Sequence, residues 1–376
     1  PAPAHLGLAL LLATGLNLRE RIACVRLLIA LRIRRWKVPA GETVARLLER
    51  ARQPDSLIRK LWLPLCVSAL NTPIATACAR TFAAVLRDTL GANRRASDFV
   101  LAAETLGDCL PAPAARWLEA HGATIRLRHP VRALHEVAGI WSVQSGDQTI
   151  TSRAVVLALP PANSERLLST SATVRRSARW PGIRDSLKAL RPTPIATVYL
   201  AWPEEQIGSI PKWTMLAQQP LTDTPAGPTK QAIWPHSDSR SKIAFPPCSG
   251  DWVFDRGTQQ GHRIVSVVVS APPPGALESS ESLRESVART VADRMRVPLP
   301  SHSFIIVERR ATFACVPDRP QLAQTVDATQ CGLWLAGDFT EPDYPATLES
   351  AVRSGLKAGA QASDWLIAHP SIADAG

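Results

Sequence analysis

Residues 332–360 carry the pattern that most narrows what this chain can become. Gly332-Leu-Trp-Leu-Ala-Gly337-Asp338 is a short apolar run closed by glycine and aspartate, Phe339 to Pro345 reads as a loop, and Ala346 to Ala360 reads as a helix. A continuous apolar run of this length suits a strand buried on both faces of a layered α/β sheet. Pro345 is expected at the helix start, where proline's missing amide costs least. Ala351, Gly355 and Gly359 share one helix face, which predicts close backbone approach to a neighbouring strand. A helix start offers unpaired amides and a partial positive charge, Gly337 allows a ligand near the backbone, and Asp338 can accept hydrogen bonds from ligand hydroxyls. A reduced flavin, negative near N1 and the C2 carbonyl, is one ligand such a turn would stabilise.

Upstream, Arg153-Ala-Val-Val-Leu-Ala-Leu159 before Pro160-Pro161 predicts a second doubly buried strand. Thr124–His129, Val131–Val137, Ile140–Gln144 and Thr149–Thr151 alternate apolar and polar residues as half-buried strands do. Pro113–His121 reads as a helix closed by Gly122. Residues 43–52, 56–70 and 75–90 read as helices, punctuated by Pro54, Pro73 and Gly91. A strand-rich stretch follows from Ile195 to Ile306, with strands at Ile195–Leu200, Lys242–Phe245 and Arg263–Ser270 and a helix at Leu283–Arg296. Trp202, Trp213, Trp234 and Trp252 are scattered through it and are expected to pack rather than to stack bases. The expected division is 1–110 helical, 111–165 a cofactor-lobe segment, 166–320 a mixed-sheet lobe, and 321–370 the closing strand and helix.

Charge enters at one place. The chain has 376 residues and a net charge of +11, of which +8 falls among residues 19–60, with twelve Lys and Arg against four acids. There Leu18, Ile22, Val25, Ile29, Ile33 and Trp36 follow spacings of three and four and form one helical stripe. Two readings stand: a helix packed on a core with a solvated basic face, or a helix resting on an anionic membrane surface, to which each cation would add about 1 kcal/mol. Leu6–Leu18 is apolar but too short for a bilayer span of about 20 residues. Nucleic-acid binding is not expected, because the basic residues sit on helices with no recognisable module.

Seven widely spaced cysteines with no C-x-x-C fit reduced thiols in the cytoplasm, peripheral to the inner membrane face in the second reading above. No H-E-x-x-H, G-x-S-x-G or P-loop occurs, and the eight histidines show no ligand spacing, so no metal site is expected. His129 and His135 are read as structural.

Gly337-Asp338 with Pro345-Ala-Thr-Leu-Glu-Ser-Ala-Val-Arg-Ser-Gly355 resembles the C-terminal flavin motif of the phytoene desaturase and amine oxidase superfamily. Leu65-Cys-Val-Ser-Ala-Leu-Asn71-Thr-Pro73, Ala96-Ser-Asp-Phe-Val and Pro113-Ala-Ala-Arg-Trp-Leu resemble, within it, the hydroxysqualene dehydroxylase family of hopanoid synthesis. The resemblance implies an α/β fold with α+β lobes, of the two-lobe FAD-dependent amine oxidase and phytoene desaturase type, with FAD as cofactor and an isoprenoid as substrate. It implies that Asp338 contacts the ribityl-pyrophosphate region, that Ala346, Thr347 and Leu348 approach the isoalloxazine, that Gly337 and Pro345 belong to the same cofactor site, and that the Val131 backbone meets the adenine. Phe339 and Tyr344 depart from the residues expected beside the ring.

A larger departure is the missing G-x-G-x-x-G unit, which none of the 20 glycines forms. With Pro1 in place of Met, the expectation is an N-terminally truncated chain lacking half of a FAD site. The implied reaction is reductive dehydroxylation of hydroxysqualene to squalene. A carotenoid-type desaturase or an amine or porphyrinogen oxidase is the alternative within the superfamily, though only two tyrosines favour a hydrocarbon pocket. A cofactor-free binding remnant is the alternative outside it. No residue stands out as a catalytic acid; Glu341, Asp343 and Glu349 are expected to be solvated or capping.

Overall fold

The computed structural model describes residues 15–370 apart from 93, 99, 101, 103, 179, 209, 216–251, 274 and 323–331. The expected strand Lys242–Phe245, Trp234, Cys248, Cys331, Phe99 and most of the Leu6–Leu18 run lie outside the described residues.

Helices come first. α1 (Leu18–Ile33) starts at a capping box: the Asn17 side chain accepts from the Glu20 amide at 2.9 Å, and Glu20 accepts from the Asn17 amide at 2.8 Å. Glu20 is buried and also receives Lys60 Nζ at 3.0 Å. α2 (Val44–Arg50) follows; α3 (Asp55–Leu57) passes through a π-helical turn (Ile58–Trp62) into α4 (Leu63–Leu70). Gln53 binds these pieces, donating to the Ala23 carbonyl and accepting from Trp62 Nε1, each at 2.9 Å. α5 (Ala79–Thr89), α6 (Leu106–Cys109) and α7 (Pro111–Ala120) complete this region.

The stripe read at the sequence level on α1 does not face the core. Ala23, Cys24, Leu27 and Leu31 are buried, whereas Leu18, Ile22, Ile29 and Ile33 are 52–77% exposed. Trp36 lies beyond the helix end, its ring against Gly91. α1 is apolar on two opposite sides, and the side that packs is Ala23, Cys24, Leu27 and Leu31 rather than the expected stripe.

Three sheets follow. β1 (Val131–Val137), β2 (Ile140–Ser145) and β3 (Gln148–Ser152) form an antiparallel meander. Thr124–His129 is not a strand: it is exposed and irregular, since among the described residues no strand pairs with it, and alternation without a partner leaves backbone groups to water. β4 (Val155–Leu157) leads to α8 (Pro161–Leu168), α9 (Ala172–Arg176) and α10 (Trp180–Ala189).

The largest sheet is antiparallel, in the order β6 (Trp213–Met215), β7 (Trp252–Gln259), β8 (His262–Ser270), β5 (Pro192–Pro203) and β9 (His302–Phe313). α11 (Ser280–Met295) packs Leu283, Val287 and Val291 onto Ala196, Val198, Leu200, Val265 and Val267. Trp202 is fully buried, donating to the Pro298 carbonyl at 2.8 Å, as expected of a packing residue. At the other end, Asn71 caps α4 in the left-handed region (φ 44°) and joins the helices to β5, β8 and β9.

β10 (Leu333–Leu335) runs parallel to β4 and precedes α12 (Leu348–Ala368). Leu333, Trp334 and Leu335 are all buried. The matching expectation for β4 holds on one side only: Leu157 is buried, but Val156 is 40% exposed, because its sheet has two strands among the described residues.

Candidate functional site

The turn between β10 and α12 is held from four directions. Gly337 donates its amide to Ser354 Oγ at 2.9 Å, and Thr340 Oγ1 bonds both the Gly337 carbonyl (2.9 Å) and Ser354 Oγ (2.6 Å). A Cβ on Gly337 would stand 2.4 Å from the buried Phe339 ring, so the ring's position demands glycine here. Gly332 is fixed likewise: its φ is +69°, and a Cβ would lie 2.4 Å from the Arg153 carbonyl.

α12 begins at Leu348 with Thr347 as N-cap, its hydroxyl accepting from the Ser350 amide at 3.3 Å. Pro345 is therefore outside the helix, two residues before the cap, buried and accepting from Ser350 Oγ at 2.6 Å. The packing face of α12 is Ser350, Ser354, Ala358 and Ala362, set against Trp334 and Ala336. Gly355 and Gly359, expected at that contact, point into open space; the small hydroxyl residues one position away are what the strand tolerates. The amides of Leu348 and Glu349 have no acceptor among the described residues, as at any capped helix start.

Beneath the turn lies Arg319. It is buried, stacks over the Phe313 ring at 4.6 Å, and donates to the Tyr344 carbonyl (3.0 Å), the Glu341 carbonyl (2.7 Å) and the Pro342 carbonyl. Burial lowers its pKa, countered by Cys315, Cys78 and Asp343 nearby. Burial likewise raises the Asp338 carboxyl above its ordinary value, opposed by the Phe339 amide and by Arg319. Tyr344 closes the outer side: its hydroxyl donates to Asp88 at 2.8 Å, and the Arg353 guanidinium lies 4.4 Å over its ring.

The structure thus gathers Gly337, Asp338, Pro345, Ala346, Thr347 and Leu348 into one loop-to-helix turn. Val131 sits apart at the start of β1, although Leu134 and Trp141 of that meander share a core with Leu333 and Leu335. Glu349 pairs with Arg353 at 2.7 Å and Asp343 with Arg80 at 2.9 Å, both surface roles as expected. Arg319, Asp88 and Ser354 escaped sequence reading; their partners are carbonyls or distant side chains, which leave no local pattern.

The donor set suits the ring and ribityl end of a flavin. It offers two free amides and a helix dipole for negative charge, a half-buried carboxyl, Asp338, for a hydroxyl, and a glycine that keeps the approach narrow. No residue of the chain supplies the glycine-rich pyrophosphate cradle, since no G-x-G-x-x-G is present.

Solved structures place this architecture. Putrescine oxidase bound to putrescine superposes with a TM-score of 0.62 at 13% identity, over 95% of this chain and 77% of that one. Cyclohexylamine oxidase from Brevibacterium oxydans IH-35A gives 0.59 at 13% identity, over 94% and 76%. These likenesses give the chain an α/β fold of the amine oxidase type. The model of the flavin containing amine oxidoreductase family matches residues 93–362, and the chain belongs to that family. Among curated relatives, the hydroxysqualene dehydroxylase of Sinorhizobium fredii (strain NBRC 101917 / NGR234) is 28% identical over 314 residues, covering 81% of this chain. That of Rhodopseudomonas palustris (strain ATCC BAA-98 / CGA009) is 25% identical over 307 residues, covering 80%. The matched region spans 62% of the length of each relative.

Proposed function

We propose that this chain is the substrate-lobe and flavin-turn part of a FAD-dependent oxidoreductase that converts hydroxysqualene to squalene. The observation that carries the substrate is the likeness, over four fifths of the chain, to two proteins named for that reaction. The geometry supports it at one point. On the sheet face opposite α11, the register aligns Tyr199 with Phe304 and Thr197 with Ile306 and Val268. Phe304 and Ile306 there are 62% and 50% exposed, an apolar floor suited to a hydrocarbon.

In the reaction the C–O bond of the alcohol breaks, the hydroxyl leaves with a proton as water, and a C–H bond forms in its place. Bound reduced flavin would supply the hydride and end oxidised. The chain's own part is to orient: the Leu348 and Glu349 amides and the α12 dipole favour negative charge on the ring, and Asp338 takes a hydroxyl. Arg319 holds the loop carbonyls that set this turn. Loss of the hydroxyl would leave an allylic-type cation at the carbon that receives the hydride.

The test is FAD absorbance near 450 nm together with anaerobic conversion of hydroxysqualene, followed by mass spectrometry. Both are measured on this chain and on a version extended to the first in-frame start codon. Flavin binding with squalene formation in the extended protein is the expected result. Bound flavin without squalene removes the substrate assignment, and absence of flavin from both proteins removes the cofactor as well.

A further inference from the structure

The outward face of α1 has no role in the flavin turn, and its chemistry is specific. At 3.6 residues per turn, Leu18, Ile22, Val25, Ile29 and Ile33 fall within about 80° of arc. The buried set, Ala23, Cys24, Leu27 and Leu31, lies on the opposite side. Arg19 and Arg26 border the exposed stripe on one side, Arg21 and Arg32 on the other. Past the helix end the chain adds Arg34, Arg35 and Lys37, all exposed.

Further round α1 from the stripe, where Leu27, Ala30 and Leu31 turn toward α2, is a cleft of about 390 Å³ whose rim on the stripe's flank is Arg26. Arg26, Arg34, Lys37, Arg50 and Arg52 line it together with aliphatic side chains, and no acid does. Arg26 is spent on the Ala51 and Arg52 carbonyls, and Arg50 on Glu42 at 2.8 Å. Arg34, Lys37 and Arg52 have no ion-pair partner among the described residues. Water solvates the three cations, but it leaves the four large aliphatic side chains of the stripe exposed as one apolar strip.

We propose that this face docks on an anionic phospholipid surface, the stripe lying among the upper acyl chains and the cleft cations meeting lipid phosphates. No described helix is long and apolar enough to cross a membrane, and α1 would lie in the interface plane. Charge complementarity selects the occupant: a second copy of this chain would bring the same cations against themselves, whereas an anionic leaflet answers both stripe and cleft. The inference does not depend on the reaction, because it concerns a surface on another element.

The whole chain is sedimented with vesicles of phosphatidylcholine alone and with 30% phosphatidylglycerol. Binding is expected to rise at least tenfold with the anionic lipid. Arg34→Ala with Lys37→Ala should lose about 25-fold, five for each cation of ~1 kcal/mol. Ile22→Ser with Ile29→Ser should lose about tenfold through lost apolar insertion. Both positions are exposed, so the melting temperature stays where it was. Equal binding to both vesicle types, or variants that bind like the parent, would overturn the proposal. So would a stripe variant that changes the self-association of the chain in the absence of lipid, since the face would then belong to a second copy.

Discussion

Replacing Asn71 by Ala tests how the helical region is fastened to the five-stranded sheet. Asn71 Oδ1 accepts from the Ala271 amide at 2.6 Å, and Nδ2 donates toward Thr312 Oγ1 (2.8 Å), Thr193 Oγ1 (3.1 Å) and the Pro194 carbonyl (3.2 Å). With alanine the two threonine hydroxyls keep each other at 2.5 Å. The buried Ala271 amide and the Pro194 carbonyl lose their side-chain partner, at about 1–3 kcal/mol for the first and ~1 for the second. A left-handed alanine adds about 1 kcal/mol. The expected cost is ~4 kcal/mol. A 376-residue chain at ~2.1 cal/mol/K per residue has an unfolding entropy of about 0.8 kcal/mol/K, so the melting temperature should fall by ~5 °C in scanning calorimetry. Asn71→Gly loses the same hydrogen bonds but not the backbone conformation, and should recover about 1 °C of that fall. A drop below ~2 °C for alanine, or a glycine variant worse than alanine, would refute the reasoning that the side-chain bonds and the φ of 44° are separate and additive costs.

Gly337→Ala drives a Cβ into the buried Phe339 ring and should destabilise by about 1–3 kcal/mol. Gly355→Ala, with nothing within 4 Å, should stabilise by up to ~1 kcal/mol; opposite signs in urea titrations check the pair. Burial raises the Asp88 carboxyl, but the hydrogen bonds from Arg87 and Tyr344 outweigh it, and its pKa is net lowered. Its stabilisation is therefore complete above the unfolded value of about 3.9 and lost as pH falls through the lower folded one, so Asp88→Asn should flatten the acid side of a melting-temperature profile. Tyr344 runs the other way. Burial and then Asp88 push it up to about 12, so its stabilisation is complete below pH ~10 and lost as pH rises through the folded value; Tyr344→Phe should remove that alkaline loss. Burial also pushes the Cys24 thiol to about 12 and Cys315 to about 11, and raises Cys66. Native-state iodoacetamide labelling at pH 8 with peptide mapping should mark exposed Cys109 and spare these three.

What the sequence made legible was whatever is written in consecutive residues. The Gly337-Asp338 turn, the helix after it, the meander from Val131 to Ser152 and the long strands β5 and β8 each carry their signal in local pattern. Errors fall where a second element decides. Thr124–His129 alternates like a strand but has no strand beside it. Arg153–Leu159 reads as doubly buried, yet Val156 is open because, among the described residues, β4 has a strand beside it on one edge, β10, and none on the other.

α1 is the sharpest case, and it bears on function. The sequence reading took the stripe Leu18-Ile22-Val25-Ile29-Ile33, and the fold buries the shorter set Cys24-Leu27-Leu31, which has the same helical period. The choice is made by Glu20, which lies on the same side as the shorter set and is drawn inward by Lys60 from forty residues away. Once that ion pair and the Gln53 bond to the Ala23 carbonyl fix the helix rotation, the longer apolar stripe must face outward. In this pair Glu20 is buried and Lys60 half-exposed; its expected consequence is orientation, biasing which of two apolar faces the fold keeps and which it leaves beside the arginines. Glu20→Leu would remove that bias while adding apolar area to the inner side. If rotation is set by the ion pair, this variant should loosen α1, seen as faster amide exchange across residues 18–33, even where global stability is unchanged. If exchange is unaltered, the inner packing of Cys24, Leu27 and Leu31 alone sets the rotation, and the ion pair is incidental to it.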